Sequence, residues 1–350
     1  MTNEFIVSTG RIIKEYLDEQ SISQKDLSFR TGISEKHISH VLNGSSRLTE
    51  EFALKIEKIL DGITASYLLN YEAKYRESIA RYDETAHLKN LNLKEIAKKF
   101  HFKEVFQGLD LPLVDQAIEM LKLLKISAFE NFELAYSNLS ASFMQDGGEK
   151  AAIAVWINLC EKEIELQNKE IDEVIYDEKL LVSSLDKFKL LANNEDIKKS
   201  IDSCRKLCNK LGIYLVFCDA ITNCKVRGAL TTYNNHPSIM LSGRFKTHDH
   251  IWFAFIHELG HLVKHYNKKD IIISFEDSEK SEDAREQEAN RFAREFFIDQ
   301  QAYSAFIRKN QFSEEDIRVF AKSQSVLPGI VVARLQRDGI ITYDKLNHMK

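Results

Sequence analysis

Ile251-Trp252-Phe253-Ala254-Phe255-Ile256-His257-Glu258-Leu259-Gly260-His261 is an apolar run that ends in H-E-x-x-H. The apolar stretch suits the buried side of a helix. On a helix, His257 and His261 stand four apart and project from one face. Two imidazoles so placed can hold one Zn²⁺ ion, with Glu258 beside the open metal position as a general base. This points to metal-assisted hydrolysis of a peptide bond. The five-residue pattern also arises by chance on buried amphipathic helices with surface histidines, so its surroundings decide.

A third ligand is expected downstream. Glu286-Gln287-Glu288-Ala289-Asn290-Arg291-Phe292-Ala293-Arg294-Glu295-Phe296-Phe297 contains good helix formers, with apolar residues at 289, 292, 293, 296 and 297 marking one buried stripe. Glu286, Asn290 and Ala293 lie along one edge of that stripe. Glu286 is assigned as the third ligand, and Asn290, one turn later, as the residue that orients a ligand histidine. Glu288 points about 200° away from Glu286 on a helical wheel. Both cannot bind, and Glu286 is placed ahead. Two histidines and one carboxylate leave a fourth position for water, as in a catalytic rather than a structural zinc site. A metal site without hydrolytic activity is the remaining option.

The 350 residues imply two or three domains. With 44% hydrophobic residues and only three prolines, the composition favours sizeable cores and a mostly helical chain. The expected class is α+β, predominantly helical, with a small sheet beside the metal helix. The net charge of −5 provides no global basic field to draw the chain to nucleic acid or membrane. The N-terminus lacks a charged-then-apolar signal pattern, and no run of 18 apolar residues occurs. A cytoplasmic protein without membrane contact is therefore expected. Five cysteines, an odd count without a secretory signal, argue for reduced thiols. Cys204 and Cys208, four apart on a helix, could form a redox or metal pair, although ordinary buried thiols account for them more simply.

Three regions are expected: 1–70, 71–199 and 200–350. In the first, Ser23-Gln24-Lys25-Asp26-Leu27 reads as a capped helix start and Thr31-Gly32-Ile33-Ser34 as a tight turn. Glu35-Lys36-His37-Ile38-Ser39-His40-Val41-Leu42 reads as a second helix that stops at Asn43-Gly44. Two short helices around a Gly-containing turn make a helix-turn-helix, with Leu27, Ile33, Ile38 and Val41 as its small core. Thr49 can cap a further helix. The middle region is charged and helical in pattern, with a connecting helix at 71–82 and breaks at Asp110-Leu111-Pro112 and Gln145-Asp146-Gly147-Gly148. From about residue 200 a helix at 201–211 leads to strands at 213–217, 228–233 and 238–242. The last two are expected to offer the edges on which an extended peptide would bind.

The N-terminal segment, about 8–65, resembles the lambda-repressor-like (Xre-type) helix-turn-helix family. The match rests on Gln24, Leu27, Gly32, Ile33, Ser34, Ile38, Ser39, Asn43 and Gly44 at the usual spacings. Ser28 departs from the family's usual Ala but still permits close helix packing, and the stretch from Leu48 to Tyr75 looks most like the antitoxin-type branch. The resemblance implies a second helix in the major groove, with Glu35, Lys36, His37, Ser39 and His40 on or near the bases and Gln24 and Asn43 at phosphates. It also implies a homodimer on a palindromic operator. The charge tempers this: residues 1–70 carry eight Lys or Arg against ten Asp or Glu, and only 30–47 is net positive, with Arg30, Lys36 and Arg47 against Glu35. A helix-turn-helix used for dimerisation or protein binding is the alternative.

The C-terminal part, about 200–345, resembles the ImmA/IrrE family of zinc metallopeptidases. Beyond the two metal helices, the match is carried by Pro237-Ser238-Ile239-Met240-Leu241-Ser242, Asp249-His250-Ile251-Trp252-Phe253 and Pro328-Gly329-Ile330-Val331-Val332-Ala333-Arg334-Leu335-Gln336. Phe296-Phe297-Ile298-Asp299 departs from the family's usual ending but follows the ligands. The resemblance implies a gluzincin-like site with one Zn²⁺ per chain on His257, His261 and Glu286, and Glu258 as base. It further implies a protein substrate such as a repressor, in a stress, mobile-element or toxin–antitoxin setting. His236, Tyr233, His248 and His250 are candidates for the oxyanion donor that such a reaction needs. The competing expectation is an antitoxin-like repressor whose metal domain senses a ligand or binds a partner toxin without cleaving.

Overall fold

The computed structural model describes residues 7–137, 139, 149–167, 171, 173–244, 247–275 and 283–350. The expected break at Gln145-Asp146-Gly147-Gly148 lies outside them. The chain divides into two units, Met1–Leu93 and Lys94–Lys350. It is predominantly helical, with a helical N-terminal region and one small sheet in the C-terminal region. No helix among the described residues is long and apolar enough to cross a membrane.

Capping side chains set the helix starts of the first unit. Ser8 caps α1 (Thr9–Glu19), and Ser23 and Asp26 form a reciprocal capping box on α2 (Gln24–Thr31). Gly32 ends α2 in the left-handed region at φ 69°, which glycine adopts without strain. Ser34 then caps α3 (Glu35–Leu42), Thr49 caps α4 (Glu50–Glu57) and Thr64 caps α5 (Ala65–Asn90). The connecting helix expected at 71–82 is thus the middle of a longer one. Ile13, Leu17, Leu27, Ile38, Val41, Phe52 and Ile56 form the core, and Ile33 packs at its margin. A methyl on Gly10 would strike the Val41 and Leu42 carbonyls, so α1 and α3 approach backbone to side-chain position. Ser28, the departure from the family pattern, donates to the Ile33 carbonyl at 2.6 Å and ties α2 to the turn.

In the second unit, α6 (Leu113–Leu123), α7 (Lys150–Leu166) and α8 (Ile197–Lys210) precede the sheet. Every residue from Ala151 to Asn158 on α7 is buried, and the helix packs against β1 (Tyr214–Cys218). β2 (Val226–Tyr233) and β3 (His236–Ser242) form a hairpin. Its two-residue turn is Asn234-Asn235, both at positive φ, the conformation that matches the twist of the flanking strands. A fourth strand, β4 (Ile272–Phe275), completes a sheet of order β1-β3-β2-β4. β1 runs parallel to β3, and the other pairs are antiparallel. This order corrects one expectation: 228–233 and 238–242 are interior strands with both edges paired, and the sheet edges are β1 and β4. α9 (His248–Lys264) packs on β2 and β3 and against α10 (Ala284–Phe297). α11 (Gln300–Arg308), α12 (Glu314–Gln324) and α13 (Pro328–Arg337) follow. Trp252, Phe255, Ile256, Leu259, Ala293, Phe297, Val331 and Leu335 share the core that holds α9 in place.

Candidate metal centre

The apolar residues of α9 face the core, and that burial carries its histidines inward. His257, Glu258 and His261 are completely buried and Glu286 on α10 is nearly so. Gly260, inside the motif, allows the helices to close: a methyl there would come within 3.0 Å of the Phe292 ring on α10. The close approach brings Glu286 to the two imidazoles. His257 Nε2 and His261 Nε2 are 3.0 Å apart. Glu286 Oε1 lies 3.0 Å from His261 Nε2, and Oε2 lies 3.3 Å from His257 Nε2. One ligand atom from each of the three residues falls in a cluster able to hold a metal ion. The spacings approach the separation of about 3.3 Å that tetrahedral ligands at about 2.0 Å require.

The electrostatics suit a divalent cation. Burial, reinforced by the Arg227 charge, pushes His257 down to about 3, so it is neutral at physiological pH. Burial alone would raise the Glu286 carboxyl, but the adjoining His257 and His261 side chains outweigh it and hold the group well below the usual carboxylate range. A neutral imidazole and an ionised carboxylate are the protonation states that metal ligands need. Asn290 Oδ1 lies 3.0 Å from His257 Nδ1, so a proton there leaves Nε2 bare and turned to the cluster. The Ser274 hydroxyl of β4 lies 3.2 Å from the same Nε2.

Residues 208–336 match the family model of the IrrE N-terminal-like domain, an M78 peptidase family, and residues 13–68 match a helix-turn-helix family model. The chain fuses a helix-turn-helix domain to an IrrE/M78-type peptidase-like domain. No curated protein and no solved structure matches it.

In the M78 domain, Glu258 sits against β2. A methyl on Gly228 would lie 2.5 Å from Glu258 Oε1 and 2.9 Å from its Cδ and Cγ, so only glycine leaves room for this carboxyl. Neither Glu258 oxygen completes a hydrogen bond among the described residues, although the Ser274 hydroxyl lies near enough to favour the charged form. Burial raises the carboxyl to about 7, a value suited to taking up and releasing a proton near neutrality.

The sequence-based oxyanion candidates have other partners. His236 Nδ1 meets the Gly212 carbonyl at 3.2 Å, the Tyr233 hydroxyl donates to Glu165 at 3.4 Å, and His250 Nδ1 meets the Thr247 hydroxyl. His248 is buried, and desolvation lowers its pKa. Besides His261, the positive group that acts on both His257 and Glu258 is Arg227, buried on β2 and packed over the Phe253 ring. No local pattern marks Arg227, because strand pairing alone brings β2 to α9. Cys204 and Cys208 are buried, and burial pushes the Cys204 thiol well up, the opposite of what a reactive redox pair needs.

In the helix-turn-helix domain, Gln24, Glu35, Lys36, His37, His40 and Asn43 are exposed and Ser39 is half-buried. Asn43 Nδ2 donates to Ser39 Oγ at 3.3 Å, and His40 Nδ1 meets Ser45 Oγ at 3.2 Å, which braces the end of α3. The following loop is held by Arg76, which pairs with the buried Glu72 at 2.8 Å and donates to the Gly44 and Ser46 carbonyls.

Proposed function

We propose that this chain is a DNA-binding regulator whose M78 domain is a zinc-dependent endopeptidase that cleaves a regulatory protein. One observation carries this: His257, His261 and Glu286 converge on one point with Glu258 buried beside them. A zinc ion on these three ligands would supply Lewis acidity, polarising the scissile carbonyl and acidifying water. Glu258 takes the water proton and delivers it to the departing amine, a role that its pKa near 7 fits. Arg227, rather than any of the four residues suggested by sequence, offers positive charge to the developing oxyanion. β4 is an edge of the sheet and carries Ser274 beside His257, so it is the strand on which an extended substrate would align. At the N-terminus, α3 enters the major groove with Glu35, Lys36, His37, Ser39 and His40, while Gln24 and Asn43 meet phosphates. The chain acts as a homodimer in the cytoplasm, on a palindromic operator.

The test compares new protein N-termini in cells that express either the wild type or Glu258→Gln, with zinc measured in both. Fragments found only with the wild type, at equal zinc content, support the proposal. Identical N-terminal profiles overturn it. The complete burial of both histidines favours a second reading, an antitoxin-like repressor whose metal domain senses or binds a partner such as a toxin. Unaltered repression by Glu258→Gln, together with those identical profiles, would select it.

A further inference from the structure

His265 stands one turn beyond His261 on the same face of the metal-helix region, where no role has been assigned to it. Its Nδ1 lies 3.1 Å from His261 Nδ1, and its Nε2 lies 2.9 Å from Glu288 Oε2. The side chain is 9% exposed, whereas that of Glu288 is 50% exposed. Glu288, which sequence set against Glu286 for the third ligand position, therefore reaches the centre at one remove. Glu288, His265 and His261 form a single hydrogen-bonded line from the surface to the triad.

The line has a direction. A carboxylate accepts but does not donate, so His265 Nε2 must carry the proton that joins it to Glu288. A neutral imidazole protonated at Nε2 has a bare Nδ1, which can only accept. His261 Nδ1 must then donate, and its Nε2 is left bare beside His257 Nε2 and Glu286 Oε1, a set of acceptors that only a bound cation would satisfy. The opposite arrangement would set a bare His265 Nε2 against a carboxylate oxygen at 2.9 Å, acceptor against acceptor. We infer that Glu288 and His265 are positioning residues: they fix the tautomer and ring orientation of His261 so that its Nε2 is presented to the metal. Asn290 does the same for His257 in one step, so each ligand histidine has its own anchor on α10. The inference rests on the metal reading above.

The test measures zinc affinity by chelator competition in the full chain, for the wild type, Glu288→Gln, His265→Gln and the double variant. Glu288 is half-exposed, so Glu288→Gln should fold even if His265→Gln does not. A glutamine amide can donate to His265 Nε2 and so removes the direction of the line. Each single variant should bind zinc about 10–100-fold more weakly. The double variant should lose no more than the worse single one, because the residues act in series. In the zinc-loaded wild type, nitrogen–proton correlation spectra should show the His261 proton on Nδ1. Affinity in Glu288→Gln within about twofold of the wild type, additive losses in the double variant, or a His261 proton on Nε2 would overturn the inference while leaving the metal centre intact. A wild type that binds no zinc would overturn both.

Discussion

Gly228→Ala tests the seating of Glu258 by changing one methyl group. Gly228 is a strand residue outside the positive-φ region, so its backbone can accept alanine. With space around it, the substitution would stabilise the fold by about 0.4–1 kcal/mol through a less flexible unfolded chain. The space is absent, because the new Cβ would lie 2.5 Å from Glu258 Oε1 and 2.9 Å from two further atoms of the same side chain. The carboxyl or the strand must yield by about an ångström, and overpacking of that kind costs about 1–3 kcal/mol. The net effect should be destabilising, worth about 2–4 °C in melting temperature per kcal/mol for a domain of this size. The assay is a double-mutant cycle in denaturant. Glu258→Ala removes the three atoms nearest to the new methyl, so Gly228→Ala should become neutral or stabilising in that background. The coupling energy should be about 1–3 kcal/mol. Zinc content should be unaffected, because neither residue is in the triad. Gly228→Ala that stabilises the otherwise wild-type chain, or costs the same in both backgrounds, would refute the packing of Glu258 against β2.

Three further outcomes are expected. Asn290→Ala removes the acceptor at His257 Nδ1 and should weaken zinc binding by about tenfold or more, measured by chelator competition; unchanged affinity would remove Asn290 from the centre. Glu72→Ala unties the Arg76 clamp on the loop after α3 and should cost about 1–3 kcal/mol, less than a fully buried pair because Arg76 is a third exposed. Faster amide exchange at residues 43–48 would report it, and Glu72→Gln, which keeps an acceptor for Leu48 N–H, should cost less. Lys36→Ala should weaken binding to the preferred duplex by about 1–3 kcal/mol and relax the choice of base at one position; unchanged affinity and sequence preference would take Lys36 off the bases.

Local pattern made part of this protein legible and left part hidden. The two histidines follow from the four-residue spacing, and Glu286 and Asn290 from the buried stripe of α10, because helix geometry is set by near neighbours. The capped starts at Ser23 and Thr49 were legible for the same reason. Strand order is not legible: periodicity locates β1, β2 and β3, but nothing local says that β3 sits between β1 and β2, so two interior strands read as edges. β4 is absent from the sequence expectation, and its signal is the β-branched run Ile271-Ile272-Ile273. Arg227 and Gly228 matter only because pairing places β2 against α9. His265 needed the structure for a different reason: its spacing from His261 was visible, but its partner Glu288 lies on another helix.

The central claim is a three-ligand metal centre, and metal content by mass spectrometry tests it most directly. The full-length wild type, prepared without added metal, should carry about one zinc per chain, and Glu286→Ala and His261→Ala should each lose it while remaining folded. A wild type devoid of zinc, or stoichiometric zinc retained in both variants, would contradict the account.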